Sequence, residues 1–181
     1  MVRIFKAVVP FSRTPIFDTP RVDLYGPFWI IVTLIIVVAI VAHFAEWVDS
    51  LFENSDVKNG PMDIQVVASC ASMLFTYFIF VPLGLHIVFK CSKLKKKDGP
   101  GFIRFIAVYG YSYTIFIPAA VGYIIPIELS RWIILIVAGI ISLFFISKEL
   151  IAAATQNLSP WTLKWTAIVI AILHGGFILA L

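Results

Sequence analysis

The stretch YGYSYTIFIP, residues 109–118, lies inside a long apolar segment and carries more polar atoms and helix-breaking residues than its neighbours. Pro118 has no backbone N–H, so a helix here is expected to bend about one turn earlier, near Thr114. A polar stripe in a membrane helix must face protein or water rather than lipid. Such a stripe is present at helical spacing, i, i+3, i+4 and i+7, and consists of the hydroxyl-bearing Tyr109, Ser112 and Tyr113 together with Phe116. The stretch therefore predicts a central helix surrounded by other spans.

The composition places this helix in an integral membrane protein. Of 181 residues, 61% are hydrophobic and only 13% are charged, and the mean hydropathy is +1.00. This is too little polar surface for a soluble globular protein of this length, and the chain has room for roughly five spans of about 20 residues. Two cysteines cannot supply a disulfide framework.

Five apolar runs follow one another with short connections and predict an all-α bundle of five transmembrane helices. We expect residues 1–26 to form a short cytosolic segment and residues 27–181 to form one membrane domain. The acidic stretch Glu46–Asp63 is expected to be a solvated loop, and PIELSR a very short link between the third and fourth spans. The predicted spans are approximately 27–47, 64–89, 102–125, 132–153 and 161–181.

The start of the first span, DLYGPFWI, has the features of a helix that begins at a membrane surface. Gly26 and Pro27 mark the helix start, because a proline in the first turn loses no hydrogen bond that it would have made. Tyr25 and Trp29 have the amphipathic rings of an interfacial belt. Asp23 can cap the free N–H groups or pair with a neighbouring arginine.

The distribution of basic residues predicts the orientation. The N-terminal segment holds four lysines and arginines, and the connection between the second and third spans holds Lys90, Lys93, Lys95, Lys96 and Lys97. The acidic stretch after the first span falls on the opposite side. By the bias of basic residues toward the cytosol, the N-terminus is expected to be cytosolic and the C-terminus lumenal or exterior. The five lysines are expected to bind anionic lipid headgroups or to act only as a topology determinant, and the two roles are compatible.

Two rows of small residues at four-residue spacing predict helix packing faces, since lipid gives helices no hydrophobic reason to associate and close approach allows packing. Whether the partner helix belongs to this chain or to another is left open, so both a homo-oligomer and a hetero-oligomer are compatible with the pattern. The rows are Ala68, Ser72 and Thr76 in the second span and Ala167, Ala171 and Gly175 in the fifth.

The chemistry-bearing residues do not form a recognisable catalytic or metal site, and neither a cofactor nor a nucleic-acid partner is expected. Three charged residues, Arg104, Lys148 and Glu149, are expected near span ends. His174 lies within the fifth span and has two interpretations. It either lines a functional path or, as we favour, is a buried histidine hydrogen-bonded to a neighbouring helix, for example to a tyrosine of residues 109–118.

DLYGPFWI and VYGYSYTIFIP resemble the two signature phrases of the Ypt-interacting-protein (Yip) family, in the right order and at the right spans. The five-span layout, Arg131–Trp132 after the third span and a histidine in the last span are similar to the Golgi subgroup of that family. The matching positions in the first phrase are Asp23, Leu24, Tyr25, Gly26, Pro27 and Trp29. Those in the second phrase are Tyr109, Gly110, Tyr111, Ser112, Tyr113 and Pro118.

The resemblance implies a non-enzymatic scaffold of ER–Golgi vesicle trafficking, embedded among membrane lipids and associating with prenylated Rab-type GTPases and sibling Yip proteins. Family members usually have a long cytosolic N-terminal region, whereas about 26 residues precede the first span here. The cytosolic face of the bundle is therefore the expected docking surface, and the hydroxyls of the third span are expected to tie it to its neighbours.

The alternative function is a transporter or lipid-handling protein that uses the polar face of the third span, and an intramembrane enzyme is a third reading. A cavity beside Tyr109 and Tyr113 would favour the transporter, and tight packing there would favour the scaffold.

Overall fold

The computed structural model describes residues 22–53, 64–91, 101–154 and 159–180. These residues form five helical spans, each long and apolar enough to cross a membrane. The elements are α1 (Tyr25–Glu53), α2 (Ile64–Cys91), α3 (Phe102–Ser112), a 3₁₀ segment (Tyr113–Ile115), α4 (Phe116–Gly122), α5 (Glu128–Ala154) and α6 (Pro160–Ala180). Because α3, the 3₁₀ segment and α4 follow one another without a break, they form a single span, which is the third in the chain. The predicted all-α bundle of five apolar helices is confirmed.

The third span occupies the centre of the bundle, as the sequence predicts. It contacts α1, α2 and α5 along its length, whereas α6 packs chiefly against α5. In its most apolar stretch 56% of the residues are buried, against 22–28% in the other four helices. The outer faces of those four helices carry exposed isoleucines such as Ile40 and Ile140, which suit contact with lipid. The polar stripe of the third span therefore faces protein.

The third span changes its helical form close to Pro118. Tyr113–Ile115 is a 3₁₀ segment, in which the N–H of Phe116 donates to the carbonyl of Tyr113. Proline at position 118 removes the donor that would have paired with the carbonyl of Thr114, and its ring crowds that carbonyl. Tightening the turn just upstream is the local response of the helix, since 3₁₀ bonds span one residue fewer than α-helical bonds. The expected irregularity near Thr114 is thus present as a 3₁₀ turn.

Two helices extend beyond the bounds that the sequence predicts. α1 does not end near Trp47 but continues through the start of the acidic stretch to Glu53, so the prediction of a solvated loop from Glu46 onward is wrong for residues 46–53. The helix continues past Trp47 because the carboxylate of Asp49 is paired with Arg131 of another span.

α5 begins at Glu128, four residues before the predicted start, so the last four residues of PIELSR are helical. Ile127 provides the first acceptor, because its carbonyl receives both the backbone N–H and the hydroxyl of Ser130. The carboxylate of Glu128 lies in the first turn, where the helix dipole favours a negative charge.

Candidate functional site

The two sequence motifs meet in the structure and form one joint between α1 and the third span. A Cβ atom built on Gly26 would lie 2.5 Å from the hydroxyl oxygen of Tyr111. A Cβ atom built on Gly110 would overlap the side chain of Pro27. A side chain at position 110 would collide with Pro27, and one at position 26 would force the buried Tyr111 ring to shift, so both positions favour glycine. We call this contact of Gly26, Pro27, Gly110 and Tyr111 the motif joint.

The rest of the first motif lies at the surface beside the motif joint. The backbone N–H of Tyr25 donates to the Asp23 carboxylate at 2.9 Å, so the predicted cap is present. Tyr25 and Trp29 are exposed and form an edge-to-face pair with ring centroids 5.9 Å apart; Leu24 is also exposed. Pro27 lies in the first turn of α1, where an N–H would have no intrahelical acceptor. The motif thus has a buried half and an exposed aromatic half.

The three hydroxyls of the polar stripe in the third span, those of Tyr109, Ser112 and Tyr113, are all buried but make different contacts. The Tyr113 hydroxyl donates to the carbonyl of Leu74 in α2 at 3.0 Å and so joins two spans. The Ser112 hydroxyl donates to the carbonyl of Tyr109 in its own helix at 2.7 Å. The hydroxyl of Tyr109 has no hydrogen-bond partner among the described residues. Of the three hydroxyls expected to tie the third span to its neighbours, one makes a hydrogen bond to another span.

His174 is fully buried where α6 approaches α2. Its Nδ1 atom lies 2.8 Å from the hydroxyl oxygen of Tyr77, and Phe177 stacks on the Tyr77 ring with centroids 4.4 Å apart. Tyr113 and Phe116 of the third span close the other side of this aromatic cluster. The favoured interpretation of His174 as a histidine bonded to a neighbouring helix therefore holds, but the tyrosine belongs to α2 rather than to residues 109–118.

Tyr77 is the functional residue that the sequence analysis did not single out. The signal was available, because Leu74, Tyr77, Val81 and Leu85 recur at helical spacing in α2. Three of them are buried, and Val81 packs against the core. This row is the face that α2 turns toward the bundle.

The two rows of small residues lie on outer faces instead. In α2, Ala68, Ser72 and Thr76 are exposed. The Ser72 hydroxyl donates to the carbonyl of Ala68, and the Thr76 hydroxyl donates to the carbonyl of Ser72, both at 2.7 Å, so both bonds stay within the helix. In α6, two of the three residues are exposed and the last is half-buried: Ala167, Ala171 and Gly175. No described part of this chain covers either row, so their use in packing stays a prediction that requires a second chain.

Arg131 fastens the end of the third span to α1 and α5. Its Nη2 atom lies 2.8 and 3.0 Å from the two carboxylate oxygens of Asp49. Its Nε donates to the carbonyls of Tyr123 and Ile125 just past the end of α4, and its guanidinium carbon lies 4.7 Å above the Tyr123 ring. The Arg131 side chain thus donates to carbonyls at the end of the third span and pairs with an acidic residue of α1.

The opposite end of the third span carries a second set of polar residues. Arg104, Tyr109 and Glu149 line a cavity of about 10 Å³, roughly the space of one water molecule. Glu149 lies close to the end of α5, as expected from its position, yet only 5% of it is exposed. The polar face of the third span is therefore closely packed beside Tyr109.

The remaining predicted residues provide no further site in the described part of the chain. Lys90 is exposed at the end of α2, and the rest of the basic cluster lies outside the described residues: Lys93, Lys95, Lys96 and Lys97. Among residues 22–53, 64–91, 101–154 and 159–180, no group of three histidine, cysteine or acidic side chains could hold a metal ion.

Comparison with known proteins gives a family match that spans most of the chain. The sequence model of the Yip1 domain matches residues 13–181 and so includes both motifs and all five spans. No solved structure matches the chain.

A curated relative is similar in sequence to this chain over most of its length. The chain is 33% identical over 159 residues to the protein YIPF1 homolog of Dictyostelium discoideum. The match covers 88% of this chain but 43% of that relative, so the chain spans less than half of the relative's length. With five apolar helices and a domain match that includes them all, the chain is a multi-pass membrane protein and belongs to the Yip1 domain family.

Proposed function

We propose that this protein is a non-enzymatic membrane scaffold in vesicle trafficking between the endoplasmic reticulum and the Golgi. In this role it associates with prenylated Rab-type GTPases and with sibling members of its family. Membership of the Yip1 domain family and similarity to a YIPF1 homolog support a trafficking role. The GTPase, the siblings and the compartment are proposals that extend from that family relationship.

The observation that carries the proposal is the motif joint. Residues of the two sequence motifs lock α1 against the third span, and neither glycine leaves room for a ligand. A protein whose motif residues serve helix packing is suited to present a fixed surface to its partners. In the scaffold proposal, the folded helix bundle itself is the functional element.

The polar face of the third span provides a second argument, because it distinguishes a scaffold from a transporter. Beside Tyr109 the free space is about 10 Å³, and the Tyr113 hydroxyl is occupied by the carbonyl of Leu74. A solute or lipid headgroup would need far more room along that face. The tight packing here supports the scaffold over the transporter.

We place the N-terminus and the connection after α2 on the cytosolic side, on the basis of their lysines and arginines. The docking surface for a GTPase then lies at the end of the bundle where α1 begins and α2 ends. Tyr25 and Trp29 are exposed at the start of α1, and Lys90 is exposed at the end of α2. Amphipathic aromatic rings and a cation suit contact with a protein partner at a membrane surface.

The test is a pull-down of the full chain in detergent with a geranylgeranylated Rab-type GTPase. The matched controls are the same GTPase without its prenylated cysteines and an unrelated five-span protein as bait. Enrichment of the prenylated form on this chain alone is the expected result. Equal recovery on both baits would contradict direct GTPase binding.

A further inference from the structure

A second, larger cavity is separated from His174 by the ring of Phe116, which contacts both. Its volume is about 180 Å³, and residues of α1, α2, α4 and α5 line it. The floor is formed by Leu34, Leu74 and Phe116, each no more than 2% exposed. The side walls are only partly buried and include Val38 and Ala119, so the cavity opens toward the outside of the bundle.

The cavity lies at the depth of the bilayer. Leu34 and Val38 fall within the continuous apolar run of α1 that extends from Pro27 to Ala42 with one threonine. An apolar cavity of roughly 150 Å³ stays free of water and accepts small hydrocarbons in a soluble protein. A cavity of this size in a membrane helix bundle is surrounded by acyl chains, which are the apolar solute at hand.

The polar atoms at the rim restrict what can enter. Arg131 is the one charged side chain that lines the cavity, and its charge is balanced by the carboxylate of Asp49 at 2.8 Å. Its Nε is also taken by the carbonyls of Tyr123 and Ile125. The rim therefore offers no net charge to select a headgroup, and the apolar interior is the binding element.

We propose that this cavity binds one hydrocarbon tail of a membrane lipid, with the headgroup outside near the Asp49–Arg131 pair. The tail would lie against Leu34, Val38 and Leu74, in the space between α1 and α2. Recognition depends on the tail and not on headgroup charge. This site is distinct from the 10 Å³ space beside Tyr109, and the proposal does not depend on the scaffold function.

Photocrosslinking of the full chain in detergent tests the site with a phosphatidylcholine that carries a diazirine in one acyl chain. In the unaltered protein we expect labelling of Leu34 and Val38, which face the cavity, and of Ile36 and Ile40, which face outward. The two pairs lie on one helix, so the outer pair reports general contact with lipid. Absence of label on the inner pair would overturn the proposal.

The variant Ala119→Phe fills the cavity, and Val121→Phe adds the same ring to the exposed side of the same helical segment. Label on Leu34 and Val38 should be lost in the first variant and kept in the second, while label on the outer pair stays in both. Unchanged inner label in Ala119→Phe would contradict the site.

Leu135→Trp, on the α5 wall of the cavity, provides a second way to fill it if Ala119→Phe does not fold. The same loss of inner label is expected. A phosphatidylglycerol probe with the same tail should label the inner pair equally, and label that requires the anionic headgroup would overturn recognition through the tail.

Discussion

The hydroxyl oxygen of Tyr77 in α2 and the Nδ1 atom of His174 in α6 lie 2.8 Å apart, and His174 has no exposed surface. This hydrogen bond joins two helices that are far apart in the sequence and share few backbone contacts. α6 otherwise packs chiefly on α5. The pair, with Phe177 stacked on Tyr77, is therefore the main side-chain link that holds the last span against the second.

Loss of this link should destabilise the protein. Tyr77→Phe leaves Nδ1 of His174 buried without its partner and should lower the free energy of unfolding by about 1 kcal/mol. His174→Ala also opens a cavity and should cost about 3 kcal/mol. Thermal unfolding of the purified protein in detergent measures both, with the exposed Tyr25→Phe as control. Equal stability of Tyr77→Phe and the unaltered protein would show that the bond contributes nothing.

Added methyl groups at the motif joint should also be costly. Gly110→Ala forces a side chain against Pro27, and Gly26→Ala forces one against Tyr111, so each should lower stability by about 1–3 kcal/mol and reduce folded yield. Gly84→Ala and Gly176→Ala are matched controls, because a Cβ there meets nothing within 4 Å. The controls should be neutral or slightly stabilising, since alanine favours a helix. Similar yields for all four variants would disprove the close fit of the motif joint.

The arginine at the end of the third span should matter more than its acidic partner. Arg131→Gln loses the pair with Asp49 and its bonds to two carbonyls, so it should cost about 2 kcal/mol. Asp49→Asn keeps the carbonyl bonds and should cost about 1 kcal/mol, because Asp49 is partly exposed. Chemical denaturation of the detergent-solubilised variants gives the ranking, with the exposed Lys164→Gln as control. A larger cost for Asp49→Asn would show that the ion pair outweighs the carbonyl bonds.

The second motif should support folding through Tyr113 and Pro118. Tyr113→Leu removes a fully buried ring and its bond to the Leu74 carbonyl, and should cost about 2–3 kcal/mol and lower folded yield. Pro118→Leu restores a backbone donor and should lower yield by weakening the 3₁₀ segment that places Tyr113. Size-exclusion profiles of the variants provide the measurement, and Phe80→Leu on the outer face of α2 is the control. Normal yield and assembly of either motif variant would refute its structural role.

The proposed orientation can be checked with a native cysteine. Cys91 is exposed at the end of α2, on the side assigned to the cytosol. In a Cys70→Ala background, a membrane-impermeant maleimide should label Cys91 when only the plasma membrane is opened. Labelling that also requires opening of the internal membranes would reverse the orientation.

The sequence was sufficient for the span count and for the central place of the third span, because apolar runs and a polar stripe are local patterns. It was insufficient for the contacts between spans. The bond between Tyr77 and His174 depends on how α2 and α6 rotate about their axes, and no local pattern fixes both rotations. In α2 the bundle is contacted by a row of larger residues that includes Leu74 and Tyr77, and the packing role of the small-residue rows stays a prediction.

The extent of α1 was missed for a related reason. Acidic residues after Trp47 are typical of a loop when each is considered alone. Asp49 stays helical because Arg131, which lies 82 positions further along the chain, balances its charge. Likewise, the sequence showed Gly26 and Gly110 as motif positions, but the need for glycine at each appears only when the two motifs are brought together.

The contact of Gly26 with Tyr111 also makes the bundle uneven at one end. Tyr111 lies nine residues into the third span, which starts at Phe102, and at about 1.5 Å per residue this is roughly 14 Å along the helix. The first span therefore starts about that distance below the tip of the third span, toward the middle of the bundle. Residues 22–24, which lead into α1, therefore lie beside the third span rather than beyond its tip, and Val22 packs against the buried core.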